Sequence, residues 1–193
     1  MPKTKYMETV SMLSKKPVFT LKDMVAHGIP ATYVRRLADY LVKKRKISRV
    51  ERGKFTVFSD PITVAPFLVF PSYLSMTTAL HLRGAILQVP HIIQVATTGR
   101  RKNKIIEIIG ARVEHFKLKR ALFFGYTYID HEGVKIPVAD AEKAIVDLAY
   151  FGFEPEGELS VEVDQKKLEE YTQLVGKTAV KKRVGRWLDA SAE

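Results

Sequence analysis

The chain has 193 residues, 46% of them hydrophobic, enough to build one large core or two small ones. It has no cysteine, which removes disulfides, thiolate zinc sites and cysteine nucleophiles together. Its net charge of +11 is unevenly placed: residues 1–58 carry fourteen Lys and Arg against four Asp and Glu (+10), whereas residues 59–193 carry eighteen against seventeen (+1). A module that binds a polyanion concentrates its charge in this way. The longest apolar run, residues 62–70, is broken by Thr63 and Pro66 and falls short of the roughly 18 residues a membrane span needs. No apolar stretch follows residues 1–5, so no signal peptide and a cytoplasmic location are expected. Zero Cys with abundant Lys and Glu also suits a thermophile.

In chain order, Tyr6, Met7, Val10 and Leu13 at helical spacing predict a first helix over residues 5–14, and Val18 and Phe19 give a short extended link. Thr20 with Asp23 three residues later resembles a capping box and opens a second helix over 21–28, closed by Gly28. A tight turn at Gly28-Ile29-Pro30 leads to a third helix over 30–46, with Pro30 in its first turn. At about 100° per residue, Val34, Leu37 and Leu41 share one face of that helix, flanked by Tyr33 and Tyr40. Thr32, Arg35, Arg36, Asp39 and Lys43 gather in an arc of roughly 100° opposite. Such an arc suits the major groove, where Arg pairs with guanine, although a charged helix face taken alone is equally a solvated one. Tyr33 shares the phase of Leu37, which favours packing over base stacking. Lys44 belongs to a cationic run, residues 43–46, that also complements the helix dipole. Residues 47–58 predict a hairpin turning at Gly53, with Phe55 and Val57 covering the helices and Arg49, Arg52 and Lys54 near the tip. Helix, turn, basic helix and basic hairpin make up a winged helix-turn-helix, whose wing cations contact phosphates.

Ser59-Asp60-Pro61 marks a boundary, so two domains are expected, 1–60 for DNA binding and 61–193 as a mixed domain of a small β-sheet with helices, an α+β chain overall. Residues 72–83 read as a helix closed by Gly84. Strands follow over 92–97, 105–109, 111–118 and 122–129, then a turn at 130–133 and a return strand at 134–137. Ala141, Ala144, Ile145, Leu148 and Ala149 form a helical stripe with Asp140 near its cap. An acidic loop over 152–157 and helices over 164–175 and 178–188 complete the chain. Arg100, Arg101, Lys102 and Lys104 form a basic loop that is either a second DNA contact or an ordinary exposed turn. Lys181, Lys182, Arg183 and Arg186 lie on the last helix, as a partner or DNA surface or as a snorkelling face.

Chemistry-bearing motifs are scarce. His27, His81, His91, His115 and His131 lack metal spacing, and no P-loop, dinucleotide-binding glycine pattern or nucleophile elbow is present. No cofactor, metal or catalytic residue is therefore assigned. Asp147 with Asp164-Gln165-Lys166 has the residue types of a metal-dependent nuclease, although Asp164 reads better as a helix start. A nuclease targeted by a winged helix, and a protein-interaction adaptor, are the alternative functions.

Three segments carry a resemblance in the first domain: His27-Gly28-Ile29-Pro30, Tyr33-Val34-Arg35-Arg36-Leu37 and Arg49-Val50-Glu51-Arg52-Gly53-Lys54-Phe55. In the second they are Ser72-Tyr73-Leu74-Ser75-Met76-Thr77-Thr78-Ala79-Leu80 with Gly84, Ile93-Gln94-Val95-Ala96-Thr97-Thr98, and Ile136-Pro137-Val138-Ala139-Asp140-Ala141-Glu142-Lys143-Ala144-Ile145-Val146-Asp147-Leu148. In this order they resemble the AbiEi-type antitoxins, transcriptional regulators of abortive-infection (type IV) toxin–antitoxin systems. Arg83-Gly84 departs from the His-Gly frequent in that family. The resemblance implies a winged helix that binds inverted repeats in double-stranded DNA upstream of its own operon, often cooperatively as a homo-oligomer, and represses it. It also implies a carboxy-terminal domain that supports self-association and counteracts a nucleotidyltransferase-like toxin, not necessarily by direct contact.

Overall fold

The computed structural model describes residues 6–153 and 163–190, and the chain is a mixed α+β protein. Lys5 and most of the acidic loop around Pro155 lie outside the described residues. The first elements are α1 (Met7–Leu13), β1 (Phe19–Thr20), α2 (Leu21–Ala26), α3 (Ala31–Lys43), β2 (Ser48–Glu51) and β3 (Lys54–Thr56). α2 starts on a reciprocal capping box: Thr20 Oγ1 accepts from the Asp23 backbone N–H at 3.1 Å, and Asp23 Oδ2 accepts from that of Thr20 at 2.7 Å. The chain reverses after α2 at Gly28, whose φ of +88° is left-handed and strained for a side chain with a Cβ. Pro30 stands one residue earlier than expected, at the N-cap of α3 rather than in its first turn. α3 also ends at Lys43, short of the expected residue 46, because the chain turns left-handed at Arg45 (φ 53°). The link at Phe19 becomes a strand: Phe19 pairs with Phe55 and Thr20 with Lys54, giving an antiparallel sheet of order β1-β3-β2. Val57 does not share the burial of Phe55; β3 stops at Thr56 and Val57 is exposed.

Asp60 caps the next helix, α4 (Pro61–Val64), accepting from the backbone N–H of Ile62 (3.2 Å) and Thr63 (2.7 Å). A mixed sheet of order β6-β7-β5-β4-β9-β8 follows, built from β4 (Ser72–Leu74), β5 (Ile92–Thr97), β6 (Ile105–Ile108), β7 (Ala111–Lys117), β8 (Tyr126–His131) and β9 (Val134–Ala139). The helix expected over 72–83 splits into β4 and α5 (Met76–Leu82). β4 is interior, antiparallel to β5 and parallel to β9, and these pairings override the helical spacing of its side chains. The strand expected over 122–129 starts later and extends through His131, so the turn shortens to Glu132 and Gly133. α6 (Ala141–Phe151), α7 (Gln165–Val175) and α8 (Thr178–Ala190) complete the described chain. No helix among the described residues is long and apolar enough to cross a membrane.

Burial divides into two apolar clusters. One joins α1, α2, α3 and the small sheet through Leu13, Phe19, Met24, Leu37 and Phe55; the other surrounds the large sheet and α6. The boundary between them is packed. Val50 of β2 belongs to the second cluster, and Val18 and Phe58 pack on it. His131 Nε2 lies 3.1 Å from Asp60 Oδ2, tying β8 to the connecting segment.

Candidate nucleic-acid interface

α3 buries Val34, Leu37, Ala38 and Leu41 against α1, α2 and the small sheet. On the opposite side Thr32, Arg35, Arg36, Asp39 and Lys43 are all exposed, as are Lys44, Arg49 and Arg52. Tyr33 is half-buried, packed on the cluster with its ring centroid 5.8 Å from that of Tyr6. Arg36 lies over the Tyr33 ring at 5.2 Å, so the tyrosine braces the cation from below. Arg35, Lys43, Lys44 and Arg52 form no ion pair with any described residue, and they hold their charge toward solvent.

Four of the remaining expected contacts, Arg49, Lys54, Arg101 and Lys104, are engaged within the protein. Arg49 donates to Asp39 Oδ1 at 2.5 Å, joining β2 to the outer face of α3, and also lies over the Phe55 ring at 5.6 Å. Both ends of that pair are exposed, where such a pair contributes about 0–1 kcal/mol, so a phosphate can displace the carboxylate. Lys54 points away from the solvent face of the hairpin: its ammonium donates to Glu51 Oε2 at 2.9 Å and to the Leu68 carbonyl. Arg101, with 11% of its side chain exposed, pairs with Glu51 Oε1. Burial pushes the Glu51 carboxyl up, but the hydrogen bonds and charges of Lys54 and Arg101 more than offset it, and Glu51 stays below the usual carboxylate range. Lys104 pairs with Glu114 at 2.9 Å and lies over Phe116 at 4.6 Å. Of the basic loop, Arg100 and Lys102 are exposed and in no ion pair with a described residue.

The cationic surface is therefore smaller than the count of basic residues implies. Of the expected contacts, those left outward are Arg35, Arg36 and Lys43 on α3, Lys44 at its end, Arg49 and Arg52 of the hairpin, and Arg100 and Lys102 of the loop after β5. Two features escaped sequence reasoning. Glu51 is the anchor that gathers Lys54 and Arg101, and its signal is that it is the one acid in an otherwise cationic hairpin. Phe70 is 87% exposed beside the basic loop, and nothing in its local sequence announces that.

The residues considered for metal chemistry are used differently. Asp147 is 1% exposed and accepts from Ser75 Oγ (2.7 Å), Tyr73 Oη (3.0 Å) and the Lys143 ammonium. Asp164 caps α7 by accepting from the Lys167 backbone N–H at 3.1 Å, while Lys166 is exposed. Among the described residues no group of three or more His, Asp or Glu side chains could hold a metal ion. No protein-family model and no curated protein sequence matches the chain.

Proposed function

We propose that the chain is a sequence-specific double-stranded DNA-binding transcriptional repressor, with residues 1–60 forming a winged helix-turn-helix and α3 as the helix that reads the major groove. The observation that carries this reading is α3 itself: one face closes a core while Arg35, Arg36 and Lys43 stand exposed on the other, inside a segment of net charge +10. The small sheet supports it, since order β1-β3-β2 sets a hairpin beside α3, with Arg49 touching Asp39. Residues 61–193 then form the domain that holds two copies on an inverted repeat. On the resemblance to AbiEi-type antitoxins, the repressor autoregulates its operon and counteracts a nucleotidyltransferase-like toxin in viral defence.

Band shifts with the region upstream of the gene test the DNA reading. Arg35→Ala and Arg36→Ala should each cost about 1–3 kcal/mol on the preferred sequence if they read bases, and far less on competitor DNA. Unchanged affinity and salt slope in the double variant would falsify the assignment of α3. Co-expression of a neighbouring nucleotidyltransferase gene tests the antitoxin role, with growth restored only when this chain is present.

A further inference from the structure

We infer that the duplex runs past the hairpin onto a second surface, made by Phe70, Arg100 and Lys102 and fixed rigidly to the small sheet. The inference rests on the DNA-binding reading of α3. Its basis is the segment Leu68-Val69-Phe70-Pro71, which is held from two sides. Lys54, at the start of β3, donates to the Leu68 carbonyl. From the other side, the loop after β5 closes on the same segment: Thr97 Oγ1 donates to the Pro71 carbonyl at 2.6 Å and accepts from Gly99 N–H at 2.9 Å. Gly99 lies so close that an added Cβ would be 2.5 Å from Val69 Cγ2 and 3.2 Å from the Phe70 carbonyl oxygen. Arg101 then completes the clamp by pairing with Glu51, next to the hairpin turn at Arg52 and Gly53.

The consequence is geometric. With Arg101 turned inward, Arg100 and Lys102 are left exposed along the rim of a cleft of about 450 Å³ that Glu51 and Lys54 line from the hairpin side. Phe70 lines the same cleft with its ring almost wholly in solvent. An exposed phenylalanine on a braced turn that shares a cleft with two exposed cations matches the chemistry of a nucleic acid, phosphates for Arg100 and Lys102 and a base or sugar face for the ring. The cleft adjoins the hairpin through Glu51, the neighbour of Arg52, so a duplex whose backbone meets Arg52 has these side chains within its reach. The partner is thus the same DNA, contacted over a longer stretch than α3 and the hairpin alone would cover.

The test uses the full chain and a mixed-sequence duplex of about 30 base pairs, with affinity measured across a salt series. Arg100→Ala with Lys102→Ala should lower the log–log salt slope by about 1.8, since each phosphate contact contributes about 0.9. Phe70→Ala should weaken binding about fivefold at every salt concentration and leave the slope unchanged, because the ring carries no charge. All three side chains are exposed, and circular dichroism should show parent-like folding. A parent-like slope in the Arg100/Lys102 variant, while Arg35→Ala plus Arg36→Ala lowers it, overturns the second surface and leaves the α3 reading standing. The reverse pattern overturns the α3 reading and places binding at the loop. A reduced slope with parent-like Phe70→Ala affinity removes the aromatic contact and retains the cations. No binding by the parent chain overturns both.

Discussion

Lys143 and Asp147 lie one turn apart on α6, and their side chains are 0% and 2% exposed. Burial pushes the Asp147 carboxyl up and the Lys143 ammonium down, and each pulls the other back toward its charged form. Tyr73 and Ser75 supply further donors, and Lys143 also lies 5.0 Å from the Phe124 ring centre. This network connects α6 to β4 and the residue after it through polar bonds inside an apolar core. Removing one partner strands a buried charge, so Lys143→Met should destabilise the protein by about 3–5 kcal/mol in urea unfolding. Replacing both, as Lys143→Met with Asp147→Leu, should cost less than the single change. His115 is a second buried titratable group. Burial, with the Arg101 charge beside it, lowers its pKa to about 4 from an ordinary 6.5. The unfolded chain therefore binds the extra proton first as pH falls. The stabilisation from a neutral buried His115 is complete above about pH 6.5 and is lost progressively toward pH 4, by up to about 3 kcal/mol. Unfolding at pH 7 and pH 4.5 should show a shallower loss for His115→Leu than for the parent chain.

At the scale of elements, boundaries followed local chemistry wherever a cap was present. The Thr20–Asp23 box opens α2, and Thr20→Ala should lower stability by about 1 kcal/mol, measured as a shift in the denaturant midpoint. Where local chemistry and tertiary pairing disagreed, pairing prevailed. Ser72-Tyr73-Leu74 has helical neighbours but is buried between β5 and β9, and Tyr73 stacks on Tyr126 with centroids 4.9 Å apart. Asp140 illustrates the same competition. It occupies the N-cap of α6 yet makes no side-chain cap bond: Lys167 (2.5 Å) and Tyr171 (3.3 Å) of α7 hold its Oδ2, and its buried Oδ1 has no hydrogen-bond partner among the described residues. The sequence places Asp140 correctly but cannot show that a helix more than twenty residues later claims its carboxylate.

At the scale of the molecule, the contact between the two apolar clusters is polar at its rim and apolar within. Val50 and Phe58 supply the apolar part; Glu51, Lys54 and Arg101 supply the rim. Glu51 and Arg101 are fifty residues apart in sequence, so their pairing is a property of the assembled fold. A double-mutant cycle with Glu51→Gln and Arg101→Gln, read by thermal unfolding, should give a coupling of about 1–2 kcal/mol, above that of an exposed pair. A coupling near zero would mean that the two clusters sit together without this clamp.

What the sequence determined by itself is local: the charge asymmetry, the capped start of α2, the amphipathic phase of α3, the strand at Ile92–Thr97 and the apolar stripe of α6. The charge asymmetry is a sum over residues 1–58; each of the others follows from residues within a few positions of one another, where backbone geometry and side-chain period are the controlling physics. The tertiary structure alone decided which of the cations remain outward. Lys54 and Arg101 are as basic in the sequence as Arg52 and Arg100, yet they turn inward because Glu51 and the Leu68 carbonyl offer partly buried acceptors there. Burying those acceptors without donors would cost more than ordering the two side chains, so the fold assigns them to the clamp and leaves their neighbours to the solvent.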